Sequence, residues 1–89
     1  MARLEVLDGE GGALGRANVT SDVYFDLGMK YSIGHSVPAD LVSAHKWFNI
    51  AAMRGNREAA RLRREIAAEM SEAEIAAAQR AARDWLIRH

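Results

Sequence analysis

Apolar residues recur at helical spacing along most of the chain after residue 20. The first series contains Tyr24, Leu27, Gly28 and Tyr31. Their spacing of i, i+3, i+4 and i+7 puts all four positions on one side of a helix. Ser21 just before this series is a typical N-cap residue, and Gly34 after it supplies the left-handed conformation that ends many helices. The pattern predicts a first helix over residues 22–33.

A second helix is predicted after a short loop. Pro38 prevents simple continuation of the first helix, and Asp40 can cap the second one. Arg54 and Gly55 mark its end, because a basic residue suits the negative end of the helix dipole and glycine suits the position after the cap. The predicted inward stripe consists of Ala44, Trp47, Phe48, Ala51 and Ala52. A hairpin of two such helices needs further helices to bury its stripes.

Two alanine-rich helices are predicted in the rest of the chain. Asn56 can cap a third helix over residues 57–69, and Ser71 with Glu74 forms a capping box that starts a fourth helix at residue 72. The predicted inward residues are Ala59, Leu62, Ile66 and Met70 in the third helix, and Ile75, Ala78, Ala82, Trp85 and Leu86 in the fourth. We therefore expect an all-α fold of about four helices, arranged as α/α hairpins of the solenoid type.

The segment before the first helix has a different composition. Residues 1–20 contain four of the seven glycines of the chain. Ordering glycine costs more backbone entropy than ordering any other residue. We expect residues 1–20 to form a flexible N-terminal arm.

Composition restricts the class of protein. With 89 residues the chain has room for one small domain. It is 49% hydrophobic with a net charge of zero, which disfavours both disorder and general binding of polyanions. The absence of cysteine excludes disulfides and thiolate zinc sites and fits a cytoplasmic location. The apolar runs are too short for a signal peptide or a membrane span, so we expect no membrane partner.

The order of residues in the predicted hairpin resembles the Sel-one-like repeat family. This family is related to the tetratricopeptide repeats and is built from helix-turn-helix units of about 36 residues. The matching positions are Leu27, Gly28, Tyr31, Gly34, Val37, Asp40, Ala44, Trp47, Phe48, Ala51, Ala52 and Gly55. Ser36 stands where the family has a second loop glycine, and Ser43 stands where it usually has lysine. Ser36 therefore either adopts the required backbone angle with some strain or belongs to a remodelled loop.

The resemblance covers one complete repeat, residues 21–56. About 36 positions after Leu27 and Gly28 the chain has Arg63 and Arg64, so the next unit lacks the core residues of the repeat. We expect residues 57–89 to form a degenerate C-terminal capping hairpin. The resemblance also implies right-handed superhelical stacking and a non-enzymatic role as an adaptor or scaffold that binds another protein.

Candidate catalytic and metal-binding residues are few. His35, His45 and His89 do not pair at i+3 or i+4, and no cysteine completes a metal site. His45 lies off the predicted stripe of the second helix. Serines near His35 lack the turn and the orienting group that nucleophilic catalysis requires. We expect no metal, no cofactor and no enzymatic activity, and we keep a ligand-binding or enzymatic site near His35 as a lesser alternative.

Two surfaces are candidates for binding a partner. The candidate residues are Tyr24, Leu27 and Tyr31 on the first helix, and Arg57, Arg61 and Arg64 on the third. The arginines from Arg54 to Arg64 form a basic cluster that could contact nucleic acid or an acidic partner. Glu58 and Glu65 can both pair with Arg61, which favours an ion-paired surface over a nucleic-acid site. Trp47 and Trp85 are expected in the core. We expect a protein partner, together with either self-association through an apolar helix face or docking of the N-terminal arm.

Overall fold

The computed structural model describes residues 22–34 and 36–89. Within this part of the chain there are four helices and no strand, so the predicted all-α fold is confirmed. The helices are α1 (residues 22–33), α2 (Leu41–Met53), α3 (Arg57–Ala67) and α4 (Glu72–Arg88). None of the described helices is both long enough and apolar enough to cross a membrane. The arm predicted over residues 1–20 lies outside the described residues.

The predicted caps begin the helices α2, α3 and α4. The side chains of Asp40 and Asn56 each accept a hydrogen bond from the backbone N–H three residues further on, at 3.2 and 2.8 Å. Ser71 and Glu74 form the reciprocal capping box, with distances of 3.1 and 2.8 Å. Each cap satisfies backbone donors that the first turn of a helix leaves without a partner. The helix starts therefore follow from local sequence.

Two glycines end α1 and α2 in the left-handed conformation. Gly34 has φ of +83° and Gly55 has φ of +104°. The N–H of Gly55 donates to the carbonyl oxygen of Ala52, and the N–H of Asn56 donates to that of Ala51, both at 3.0 Å. This pair of bonds is the Schellman motif, which satisfies the last carbonyl groups of α2. The helix α3 ends at Ala67, two residues earlier than predicted.

The helix α2 lies at the centre of the fold. It packs extensively against both α3 and α4. The core cluster combines Ala44, Phe48 and Ala51 of α2 with Ala59 of α3. Partly buried side chains around it are Tyr24, Phe25, Met29, Tyr31, Ala52, Leu62 and Ile66. Ile50, which lies outside the predicted stripe, is also fully buried. The helix α2 is thus covered around more of its circumference than its stripe indicated.

The helices α1 and α2 approach each other closely at Gly28. The ring of Phe48 occupies the space that a side chain at position 28 would need, because a Cβ there would lie 2.5 Å from Cε1 and 2.9 Å from Cγ of that ring. Real Cβ atoms do not come this close to a neighbouring carbon. Phe48 is only 1% exposed, so the ring has little room to move aside. Only glycine at position 28 permits this spacing between the two helices.

Replacing Gly28 with alanine tests this close contact. We expect Gly28→Ala to lower the free energy of unfolding by about 2 kcal/mol, because overpacking outweighs the roughly 1 kcal/mol that alanine gains in helix propensity. Urea denaturation measures the change. In a Phe48→Leu background the same substitution should cost less, since the smaller side chain leaves room for the new methyl group. Equal losses in both backgrounds would contradict the contact.

Ser36 is a strained residue in the loop between α1 and α2. Ser36 has φ of +72°, so it adopts the left-handed conformation, the first of the two alternatives that the sequence left open. The N–H of Asp40 donates to the carbonyl oxygen of Tyr31 at 2.9 Å and closes the loop. Val37 is partly buried at this point. Left-handed backbone costs a residue with a Cβ roughly 1–2 kcal/mol.

Removing the Cβ of Ser36 should therefore stabilise the fold. We expect Ser36→Gly to raise the free energy of unfolding by about 0.5–1 kcal/mol, because relief of strain exceeds the extra entropy that glycine loses on folding. Thermal and urea unfolding measure this change. Ser36→Ala is the matched control, since it keeps the Cβ and should give no stabilisation. If both variants behave alike, backbone strain at position 36 is not the cause.

Candidate interaction surfaces

The helix α3 carries a row of exposed arginines. Arg57, Arg61 and Arg64 follow one another at i, i+4 and i+7, which places them on one face of the helix, and all three are exposed. The opposite face, which includes Ala59 and Leu62, packs on the core cluster. Burial of the apolar face therefore directs the three arginines to the surface. We call these three residues the basic face.

Arg61 is ion-paired within this face, as predicted. Its Nε donates to a carboxylate oxygen of Glu58 at 3.0 Å, and its terminal nitrogens contact the carboxylates of Glu58 and Glu65. The hydrogen bond from Arg61 holds the pKa of Glu58 below its usual value, and Glu58, followed by Glu65, raises the pKa of Arg61. Such exposed pairs contribute little to stability. They neutralise much of the charge of Arg61 and leave Arg57 and Arg64 as the principal cationic groups of the face.

The basic cluster predicted from Arg54 to Arg64 is not a single surface. Arg63 is partly buried and donates to the side-chain oxygen of Asn49 on α2 at 2.6 Å. The guanidinium carbon of Arg54 lies 5.5 Å from the ring centre of Tyr24. Both arginines are therefore engaged with other helices. Counting basic residues along the sequence overestimated the cluster, because residues 63 and 64 point to different sides of α3.

The three candidate partner-binding residues of α1 lie on the side of the helix that faces the core. Tyr24 and Tyr31 are partly buried and pack against the core cluster, and Leu27 is also partly buried. The sequence predicts these three residues on one apolar side of α1 and makes them candidates for binding a partner. The exposed side of the helix instead carries Val23, Asp26, Lys30 and Ile33. The apolar spacing of α1 therefore serves to attach α1 to the core cluster.

Tyr24 belongs to an aromatic cluster with Trp47 and Trp85. The Tyr24 and Trp47 rings are stacked, with centroids 5.9 Å apart and planes 4° apart. The Trp85 ring meets both of them edge-on, at 5.1 and 5.6 Å. All three residues are partly buried. Because each ring comes from a different helix, the cluster joins α1, α2 and α4.

His45 is a buried polar residue that sequence reasoning did not detect. Its side chain is on the second helix, off the predicted stripe, yet it is only 4% exposed. Its Nδ1 has no hydrogen-bond partner among the described residues. Burial, followed by the positive charge of Arg63, lowers the pKa of His45 from its usual 6.5. A signal was present in the sequence, because His45 precedes Phe48 by three positions and Ala52 by seven, which puts it beside the predicted stripe of α2.

A lowered pKa makes the stability of the fold depend on pH through His45. The stabilisation from neutral His45 is complete above pH 6.5 and is lost as the pH falls through the lower pKa of the folded state. We expect the melting temperature to fall as the pH is reduced below 6.5, and His45→Gln to diminish that fall. Thermal unfolding between pH 8 and pH 5 measures it. His89→Gln is the control and should keep the wild-type pH dependence.

Other candidate sites receive no support from the geometry. Across residues 22–34 and 36–89 there is no group of three or more side chains suited to hold a metal ion. The same part of the chain forms no detectable pocket. His35, the residue of the alternative ligand-binding or enzymatic site, lies outside the described residues. Of the candidate partner-binding residues from the sequence, those that the structure shows as exposed are the three arginines of the basic face of α3.

Comparison with protein-family models gives no match, and comparisons with curated proteins and with solved structures give none either. The Sel-one-like resemblance rests on the hairpin residues themselves.

Proposed function

We propose that the chain is a non-enzymatic interaction module of the adaptor or scaffold type, built on one Sel-one-like repeat and closed by α3 and α4. The observation that supports this most is the contact of Gly28 with Phe48, two residues of the repeat pattern. Asp40 and Gly55, also in the pattern, begin and end α2. In repeat proteins such residues maintain the hairpin, while exposed positions bind the partner.

The surface proposed for a protein partner is the basic face of α3. Arg57 and Arg64 are exposed on one side of a helix whose opposite side is held by the core. Guanidinium groups bind carboxylates through two parallel hydrogen bonds, so an acidic segment is the partner chemistry that suits this face. Glu58 and Glu65 beside Arg61 lower the local positive charge, which favours an acidic protein over a nucleic acid.

Three further features belong to the same proposal. The hairpins stack with a right-handed superhelical twist, as the resemblance implies. The module works in the cytoplasm, in agreement with a sequence without cysteine. Its partners include a second copy of the chain.

The basic face can be tested by charge reversal. We expect Arg57→Glu combined with Arg64→Glu to abolish retention of partner proteins in affinity capture from the source cell, because acidic groups would then meet like charge. The measurement compares captured proteins between the variant and wild type by mass spectrometry. The matched control is Arg80→Glu with Arg83→Glu, which reverses two exposed arginines on α4 and should retain the partners.

The outcomes separate the competing functions. Identical capture by wild type and both variants would exclude the basic face as the binding surface. Loss of the captured proteins on nuclease treatment would favour the alternative, a nucleic-acid binder. That alternative also requires direct binding of a labelled oligonucleotide that weakens steeply as salt is added. Absence of any specifically retained protein would contradict the proposed interaction module.

A further inference from the structure

The exposed side of α1 has the spacing of a helix-pairing seam. Val23 and Ile33 are 53% and 65% exposed, and Asp26 and Lys30 between them are exposed as well. These four residues follow one another at i, i+3, i+7 and i+10, the spacing of alternating a and d positions in a coiled coil. By helix geometry they lie opposite the side on which Gly28 meets Phe48. We call these four residues the α1 seam.

When the α1 seams of two chains meet, their charges are complementary in only one of the two possible orientations. When two identical helices pair antiparallel, a positions of one face d positions of the other. Val23 of one chain then lies opposite Ile33 of the other, and Asp26 of one chain lies opposite Lys30 of the other. Parallel pairing would instead place Asp26 against Asp26 and Lys30 against Lys30, which is repulsive. Charge complementarity thus selects a second copy of this chain, in antiparallel orientation.

We propose that two copies of the chain associate through antiparallel pairing of their α1 helices, about a two-fold axis that lies level with residue 28 along the helix and on its exposed side. The interface is isologous, so the Asp26–Lys30 contact and the Val23–Ile33 contact each occur twice. This proposal deepens the proposed interaction function by naming the partner of α1, and it does not involve the basic face of α3. The two apolar contacts lie at the ends of the seam and the two ion pairs lie in its middle.

The length of the seam limits the strength of the dimer. A helix of twelve residues is about 18 Å long, and a single helix pair of that length buries less than the roughly 1,200 Å² of a stable interface. The dimer is therefore weak and forms at high protein concentration. Its specificity comes from the order of charges, which is the property that the experiment changes.

Charge exchange between positions 26 and 30 tests the pairing. Sedimentation equilibrium of the full chain, up to about 1 mM, gives the dissociation constant of the dimer. We expect Asp26→Lys alone, and Lys30→Asp alone, each to weaken the dimer about tenfold or more, since two attractive contacts become repulsive. The double variant Asp26→Lys with Lys30→Asp should restore wild-type association. An equimolar mixture of the two single variants should form a heterodimer, because every charge again meets its opposite.

The equimolar mixture of the two single variants distinguishes ion pairs between chains from an ion pair within one helix. Residues 26 and 30 are also i, i+4 neighbours, and each single variant disrupts that local pair as well. Mixing restores only the contacts between chains. Asp84→Lys, an exposed reversal on α4, is the matched control and should leave the dimer unchanged. Circular dichroism of each variant verifies that the helices are intact.

Several results would overturn the proposal. Wild-type chain that stays monomeric at about 1 mM would show that the seam is free or is covered by another occupant, such as residues 1–20 or a different protein. A dimer that tolerates both single reversals, or a mixture that fails to associate, would place the interface elsewhere. Arg57→Glu with Arg64→Glu should leave the dimer intact. The basic-face proposal and the dimer proposal can therefore fail independently of each other.

Discussion

The close approach of α1 to α2 at Gly28 is the constraint on which the rest of the structure depends. Because position 28 has no Cβ, the ring of Phe48 fills the space beside the α1 backbone. At this spacing the ring centroids of Phe25 and Phe48 lie 5.8 Å apart, and the ring of Tyr24 stacks on that of Trp47. Trp85 then joins the same cluster and attaches α4. A larger residue at position 28 would separate the helices and weaken all of these contacts together.

The central position of α2 decides which polar groups reach the surface. Since α1, α3 and α4 all pack on this helix, His45 becomes buried and its neutral form is favoured. Arg63 points toward α2 and donates a hydrogen bond to Asn49, so it is not part of the exposed row of arginines on α3. The positive charge left on the surface of α3 is accordingly smaller than the number of arginines in the segment indicates, and it lies mainly on Arg57 and Arg64. Packing thus shapes the electrostatics that the proposed partner would meet.

The two exposed helix surfaces differ in chemistry and in the occupant that they suit. The α1 seam has one acidic and one basic residue between two apolar ones, so it is complementary to its own antiparallel copy. The basic face of α3 has excess positive charge around an ion-paired arginine, so it suits an acidic segment of another protein. Because these surfaces lie on different helices and use different residues, the proposed module could hold a second copy and a partner through separate contacts.

Local sequence determined where the helices begin and end, and distant packing determined what their side chains contact. The caps at Asp40, Asn56 and Ser71, and the glycines at 34 and 55, act within about four residues, so the pattern alone predicted four helices close to the observed bounds. The periodicity of one helix does not specify which other helices cover its remaining sides. Burial of Ile50 and the division of the basic cluster were therefore decided only by tertiary structure, because each depends on where a second or third helix packs.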